Sequence, residues 1–141
     1  MKNIFNEIVI AFSNEDDVKV KLLCDEIYLE MCNSPMICLS TIFKKSGYTK
    51  NELIDITGIG ERTIEDYLYC SHKNYQKKVL IRFLLSLNIP PNISGHVLRV
   101  CGFSFNFASE FDIAVSYVIQ NRWYKPLEEN LNLLRKFNIY I

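Results

Sequence analysis

Between Thr49 and Leu68 the chain reads TKNELIDITGIGERTIEDYL, two short amphipathic segments either side of Gly58, Ile59 and Gly60. Thr49 is a good N-cap, and Glu52, three residues on, completes a capping box. Leu53 and Ile56 share one helical face. Gly58 can take the left-handed conformation that ends a short helix. Ile59 is expected to point inward, and Gly60 to let the chain turn again. Ile64, Tyr67 and Leu68 supply the apolar stripe of a second helix. The spacing predicts helix, tight turn, helix, and the remaining segments must pack around it.

Such a pair, with apolar anchors before, in and after the turn, is the helix-turn-helix pattern, whose second helix meets the DNA major groove. The stretch resembles the helix-turn-helix of the phage-repressor group, the Xre/Cro-type regulators. That group's usual run is T-Q-x-x-L-A-x-x-x-G-h-S-x-x-x-I, with h apolar. Thr49, Leu53, Gly58, Ile59 and Ile64 stand at the matching places. Lys50 replaces the usual glutamine, Gly60 the serine, and Ile54 the small residue, so the larger Ile54 should push the two helices apart. The likeness covers about residues 35 to 102. NIPPNISGHVLRVCGFSF also resembles a run found after the motif in many small regulators of Gram-positive bacteria and their mobile elements. The resemblance implies that Glu61, Arg62, Glu65 and Asp66, exposed on the second helix, meet base edges.

Two other readings use the same letters. LIDITGIGERT is similar to a helix-hairpin-helix, whose glycine hairpin offers backbone amides to phosphate; Ile64 stands where that motif has a small residue. A plain glycine-linked helix pair without a nucleic-acid role also satisfies the pattern.

With 141 residues, the chain is one domain, or one domain with an appendage. Its 49% apolar and 13% aromatic content is that of a globular protein, not a disordered one. No apolar run approaches the length of a membrane span. The start, MKNIFNEIVIAF, is a poor signal peptide. Cys24, Cys32, Cys38, Cys70 and Cys101 form no Cys-x-x-Cys pair, and with only His72 and His96 nothing has zinc-ligand spacing. The expectation is reduced cysteines filling the core of a cytoplasmic protein, with no metal and no cofactor.

The zero net charge is unevenly spread. Residues 1–33 carry three bases and seven acids, residues 34–82 eight and five, and residues 83–141 five and four. The positive surplus falls in the stretch containing the motif, as a phosphate-binding face requires.

Helical periodicity with caps recurs along the chain, and no hairpin turn signals a strand pair. The expected fold is all-α, with eight or nine helices: a helix-turn-helix core of about five helices, an N-terminal helical arm and a C-terminal helical extension. The segments are 1–33 for the arm, 34–102 for the core and 103–141 for the extension packed on it. A short helix is expected over residues 3–12. Ser13 or Asn14 should cap a second helix running to Cys32, with Val20, Leu23, Ile27 and Met31 on one face, broadened by Leu22 and Tyr28. Ser34-Pro35 starts a third helix and Gly47 ends it. A core helix spans Tyr75 to Asn88 and stops at Pro90-Pro91. Ser94 should cap the next, with Gly102 at its end. Phe103, Phe105 and Phe107 read as a loop whose rings plug the core or a dimer seam. Helices then follow over 108–122 and from Pro126, where Leu127, Leu131, Leu134 and Phe137 form a stripe.

The candidate DNA-binding residues are Lys50, Glu61, Arg62, Thr63, Asp66, Lys73 and Lys77. Arg62 suits bidentate pairing with guanine; Glu61 or Asp66 suits a cytosine amino group. Thr63 suits a phosphate or a base edge, and Lys73 and Lys77 suit one phosphate strand. Carboxylates facing a polyanion lower affinity, so two function classes stand. One is a non-enzymatic DNA-binding transcription regulator, dimeric on a two-fold site of double-stranded DNA. The other is a protein-interaction module, a small mobile-element regulator or inhibitor, that keeps the scaffold and meets a protein partner. No nucleophile with a base, glycine-rich phosphate cradle or metal set points to an enzyme.

Overall fold

A computed structural model describes residues 2–31, 33–69 and 74–141. Among the described residues the regular structure is all α-helical, with nine helices and no strand. They are α1 (Ile4–Ser13), α2 (Asp17–Glu30), α3 (Pro35–Ser46), α4 (Lys50–Thr57), α5 (Glu61–Tyr69), α6 (Lys77–Ser86), α7 (Pro91–Val100), α8 (Glu110–Asn121) and α9 (Leu127–Arg135). Contacts divide the chain into two compact units, Met1–Tyr75 and Gln76–Ile141. The division falls inside the 34–102 stretch, so the helices before and after Tyr75 belong to different units.

In the first unit α1 packs on α2, and both pack on α3, which in turn meets α5. Phe5, Ile8, Ile27, Cys38, Leu39 and Ile42 are fully buried there. Each large side chain so removed from water contributes roughly 1.5–3 kcal/mol. The second helix starts later than the sequence suggests: Asp16 caps it, accepting from Lys19 N at 3.2 Å. Ser13 closes α1 instead, and Glu15 takes a left-handed φ of 56° in the turn. Leu22 does not broaden the buried face. It lies on the outer side with Val18 and Leu29, at 64%, 71% and 87% exposed. Ser34 precedes Pro35 as expected but makes no side-chain capping bond.

In the second unit α6, α7, α8 and α9 pack in sequential pairs, around Leu80, Phe83, Leu84, Val97 and Val115. Asn88, with a left-handed φ of 54°, donates from Nδ2 to the carbonyls of Trp123 and Lys125, both at 2.9 Å. One side chain thus ties the α6–α7 connection to the α8–α9 connection. α7 begins at Pro91, whose fixed φ suits a first helical position. Ser94 is therefore not a cap; it lies buried inside the helix, its hydroxyl donating to Ile89 O at 3.3 Å. Phe107 does not plug the core, being 71% exposed, and Phe137 leaves the α9 stripe at 61% exposed. The chain end is docked: Ile139 is buried and Arg82 Nη1 donates to Ile141 O at 2.8 Å.

Candidate nucleic-acid interface

The geometry at α4 and α5 follows from a few side chains. Thr49 and Glu52 form the capping box, with Thr49 N donating to Glu52 Oε1 at 3.0 Å and Glu52 N to Thr49 Oγ1 at 3.2 Å. The Thr49 backbone N–H, and then its hydroxyl, hold the Glu52 carboxyl below the usual range. At the other end Gly58 adopts φ 68° and closes α4. Thr57, which the sequence reading passed over, fixes the turn from inside. It is fully buried, its hydroxyl donates to Leu53 O at 2.6 Å, and it accepts from Ile59 N at 3.1 Å. Only its place directly before the glycine hints at this in the sequence. Leu53, Ile59, Ile64, Tyr67 and Leu68 are buried beneath the turn, and the Tyr67 ring meets Tyr75 edge-on at 5.6 Å. Ile54 is half-buried.

This anchoring turns the polar side of α5 outward. Glu61 and Arg62 are exposed; Thr63, Glu65 and Asp66 are half-buried. Arg62, Asp66 and the 63% exposed Tyr69 lie at i, i+4 and i+7 on one stripe. Tyr69 was absent from the sequence-based candidates, although its spacing from Arg62 was the available signal.

Lys50, at the start of α4, reaches across the turn to the same helix. Its Nζ stands 3.0 Å from Glu65 Oε1 and 3.4 Å from Glu61 Oε1. The Glu65 bond, then that of Glu61, raises the Lys50 pKa, and Lys50 lowers that of Glu65. Arg62 has no ion-pair partner among the described residues.

Lys50, Glu61, Arg62, Thr63 and Asp66 are thus brought together on α4 and α5. Lys73 lies outside the described residues. Lys77 belongs to the second unit, where its Nζ donates to Asp112 Oδ1 and Ser104 O, both at 2.8 Å, and lies 4.9 Å from the Phe105 ring centre.

Charge follows the units. The first holds eight bases and twelve acids, a net −4; the second holds eight and four, a net +4. Three of the bases that gave residues 34–82 their surplus, Lys77, Lys78 and Arg82, belong to the second unit. What remains of that stretch in the first unit is balanced, five against five. Among the described residues no His, Cys, Asp and Glu group could hold a metal ion. No described helix is long and apolar enough to cross a membrane.

A scan against protein-family models finds no match, and searches of the curated proteins and of the solved structures find no similar protein.

Proposed function

We propose that the chain is a DNA-binding transcription regulator of phage-repressor type, working in the cytoplasm as a dimer on a two-fold site, with α4 and α5 as its helix-turn-helix. The observation that carries this reading is the Lys50 bridge to Glu61 and Glu65. It offsets the two carboxylates that would most repel phosphate, and leaves Arg62 exposed on the outward stripe. Arg62 then reads guanine from the major groove, Asp66 accepts from a cytosine amino group, and Thr63 takes a phosphate or base edge. The net −4 of this unit weakens sequence-independent attraction to DNA, so discrimination rests on a few contacts.

The test is fluorescence anisotropy with pooled fragments of the source genome, at low and physiological salt. The expected result is salt-dependent, sequence-selective binding. Arg62→Ala should lose about 1–3 kcal/mol of base discrimination. Absence of binding at low salt, or an unchanged preference in the variant, would reject α5 as the reading helix.

A second reading, a protein-interaction module on the same scaffold, is favoured by one observation. The acidic first unit carries Val18, Leu22 and Leu29 on the outer side of α2, where they suit a basic, apolar-faced partner.

A further inference from the structure

We infer that the groove between α8 and α9 seats a second copy of this chain, related by a two-fold axis that sets the two α8 helices antiparallel. The groove encloses about 760 Å³ and lies wholly between Glu110 and Asn138. Its walls include Ile113, Tyr117 and Phe137, which are 49%, 56% and 61% exposed. Large apolar side chains this accessible on α8 and just beyond the end of α9 form a patch of the kind that marks an interface, and aromatic side chains are enriched in interface cores.

Charge selects the occupant. Glu110 and Arg122 both line the groove, at opposite ends of α8. At roughly 1.5 Å per residue they are about 18 Å apart along the helix, too far to pair within one copy. Neither has an ion-pair partner among the described residues. Arg122 is held in place by the fully buried Asn130: Arg122 Nε donates to Asn130 Oδ1 at 3.2 Å, and Asn130 Nδ2 donates back to Arg122 O at 2.9 Å. Glu110 suits the positive end of α8, and it also stands on the groove wall.

A two-fold axis through the middle of α8 reverses the helix. It lays Glu110 of each copy beside Arg122 of the other, so the pairing forms twice. The same operation brings Ile113 of each copy close to Tyr117 of the other, and the two Tyr117 rings near each other, because Ile113 precedes and Tyr117 follows the helix midpoint at Ser116 by less than one turn. The interface is isologous and closed. This assignment rests on the dimeric part of the proposed function and not on DNA contact, so it is measured without DNA.

The experiment is sedimentation equilibrium of the full chain. Glu110→Arg and Arg122→Glu should each weaken self-association roughly tenfold. An equimolar mixture of the two variants should regain it, since both opposite-charge pairs then re-form across the interface. Tyr117→Asp, at an exposed position, should give a monomer with unchanged circular dichroism and thermal midpoint. It serves as the control should Arg122→Glu disturb the contact with Asn130. A wild type that stays monomeric at the highest concentration reached, a Tyr117→Asp chain that still dimerises, or a mixture no tighter than its components overturns the proposal.

Discussion

Lys50 Nζ lies 3.0 Å from Glu65 Oε1, a pair that spans the turn between α4 and α5. The pair is partly exposed and contributes little to folding; its consequence is electrostatic. Replacing Lys50 by alanine bares two carboxylates on the face proposed to meet DNA. Lys50→Ala should weaken DNA binding several-fold, and adding Glu65→Gln should recover most of the loss. A double variant as weak as the single one would mean that Lys50 itself contacts phosphate.

Two glycines of the same turn should respond oppositely to alanine. Gly58 has φ 68°, a conformation that costs an L-residue about 1–2 kcal/mol. Gly60 lies outside the left-handed region, and a Cβ there would meet nothing within 4 Å. Gly58→Ala should therefore destabilise by that amount in urea denaturation. Gly60→Ala should be neutral or stabilising by about 0.4–1 kcal/mol, because it restricts the unfolded chain. Equal losses at both positions would contradict the described turn.

The outer side of α2 separates the two functional readings. Leu29 is 87% exposed, so Leu29→Asp should leave stability within about 0.5 kcal/mol of wild type. For a DNA regulator the substitution leaves binding to DNA unchanged. For an interaction module it abolishes capture of the partner, measured by pull-down from source-cell extract against the wild-type chain.

Local signals located much of the secondary structure. The Thr49–Glu52 box, the left-handed Gly47 and Gly58, and Pro35 at a first helical position were legible because each acts within a few residues. The start of α7 was missed because both Pro91 and Ser94 are valid start signals, and only packing shows that the Ser94 hydroxyl turns inward. Leu22 and Phe137 are misplaced because periodicity counts apolar residues without knowing how wide a face its neighbours cover. Lys50 was legible as a cation beside the motif. That its charge is taken up by residues 11 and 15 positions away depends on the angle between two helices, which no local pattern encodes. The same holds for Lys77, read as a phosphate contact and found beside Asp112.

Asp112 gives the second unit an acid-sensitive joint. The carboxylate is buried, accepting from Lys77 Nζ at 2.8 Å and from Asn106 N at 2.7 Å. Burial alone would raise its pKa. The Asn106 N–H, and after it Lys77, outweigh burial and hold it below the usual aspartate range. Because the folded-state value is depressed, this stabilisation is fully present above about pH 4 and is lost as pH falls through the depressed value. Asp112→Asn keeps the shape and removes the charge that Lys77 and Asn106 were arranged to meet. It should cost about 1–3 kcal/mol at neutral pH, read from urea denaturation. The gap to wild type should close progressively in acid, where the wild-type carboxyl is also neutral. Denaturation curves separated by a constant amount from neutral to strongly acidic pH would show that the bonds to Asp112 carry no charge-dependent stability.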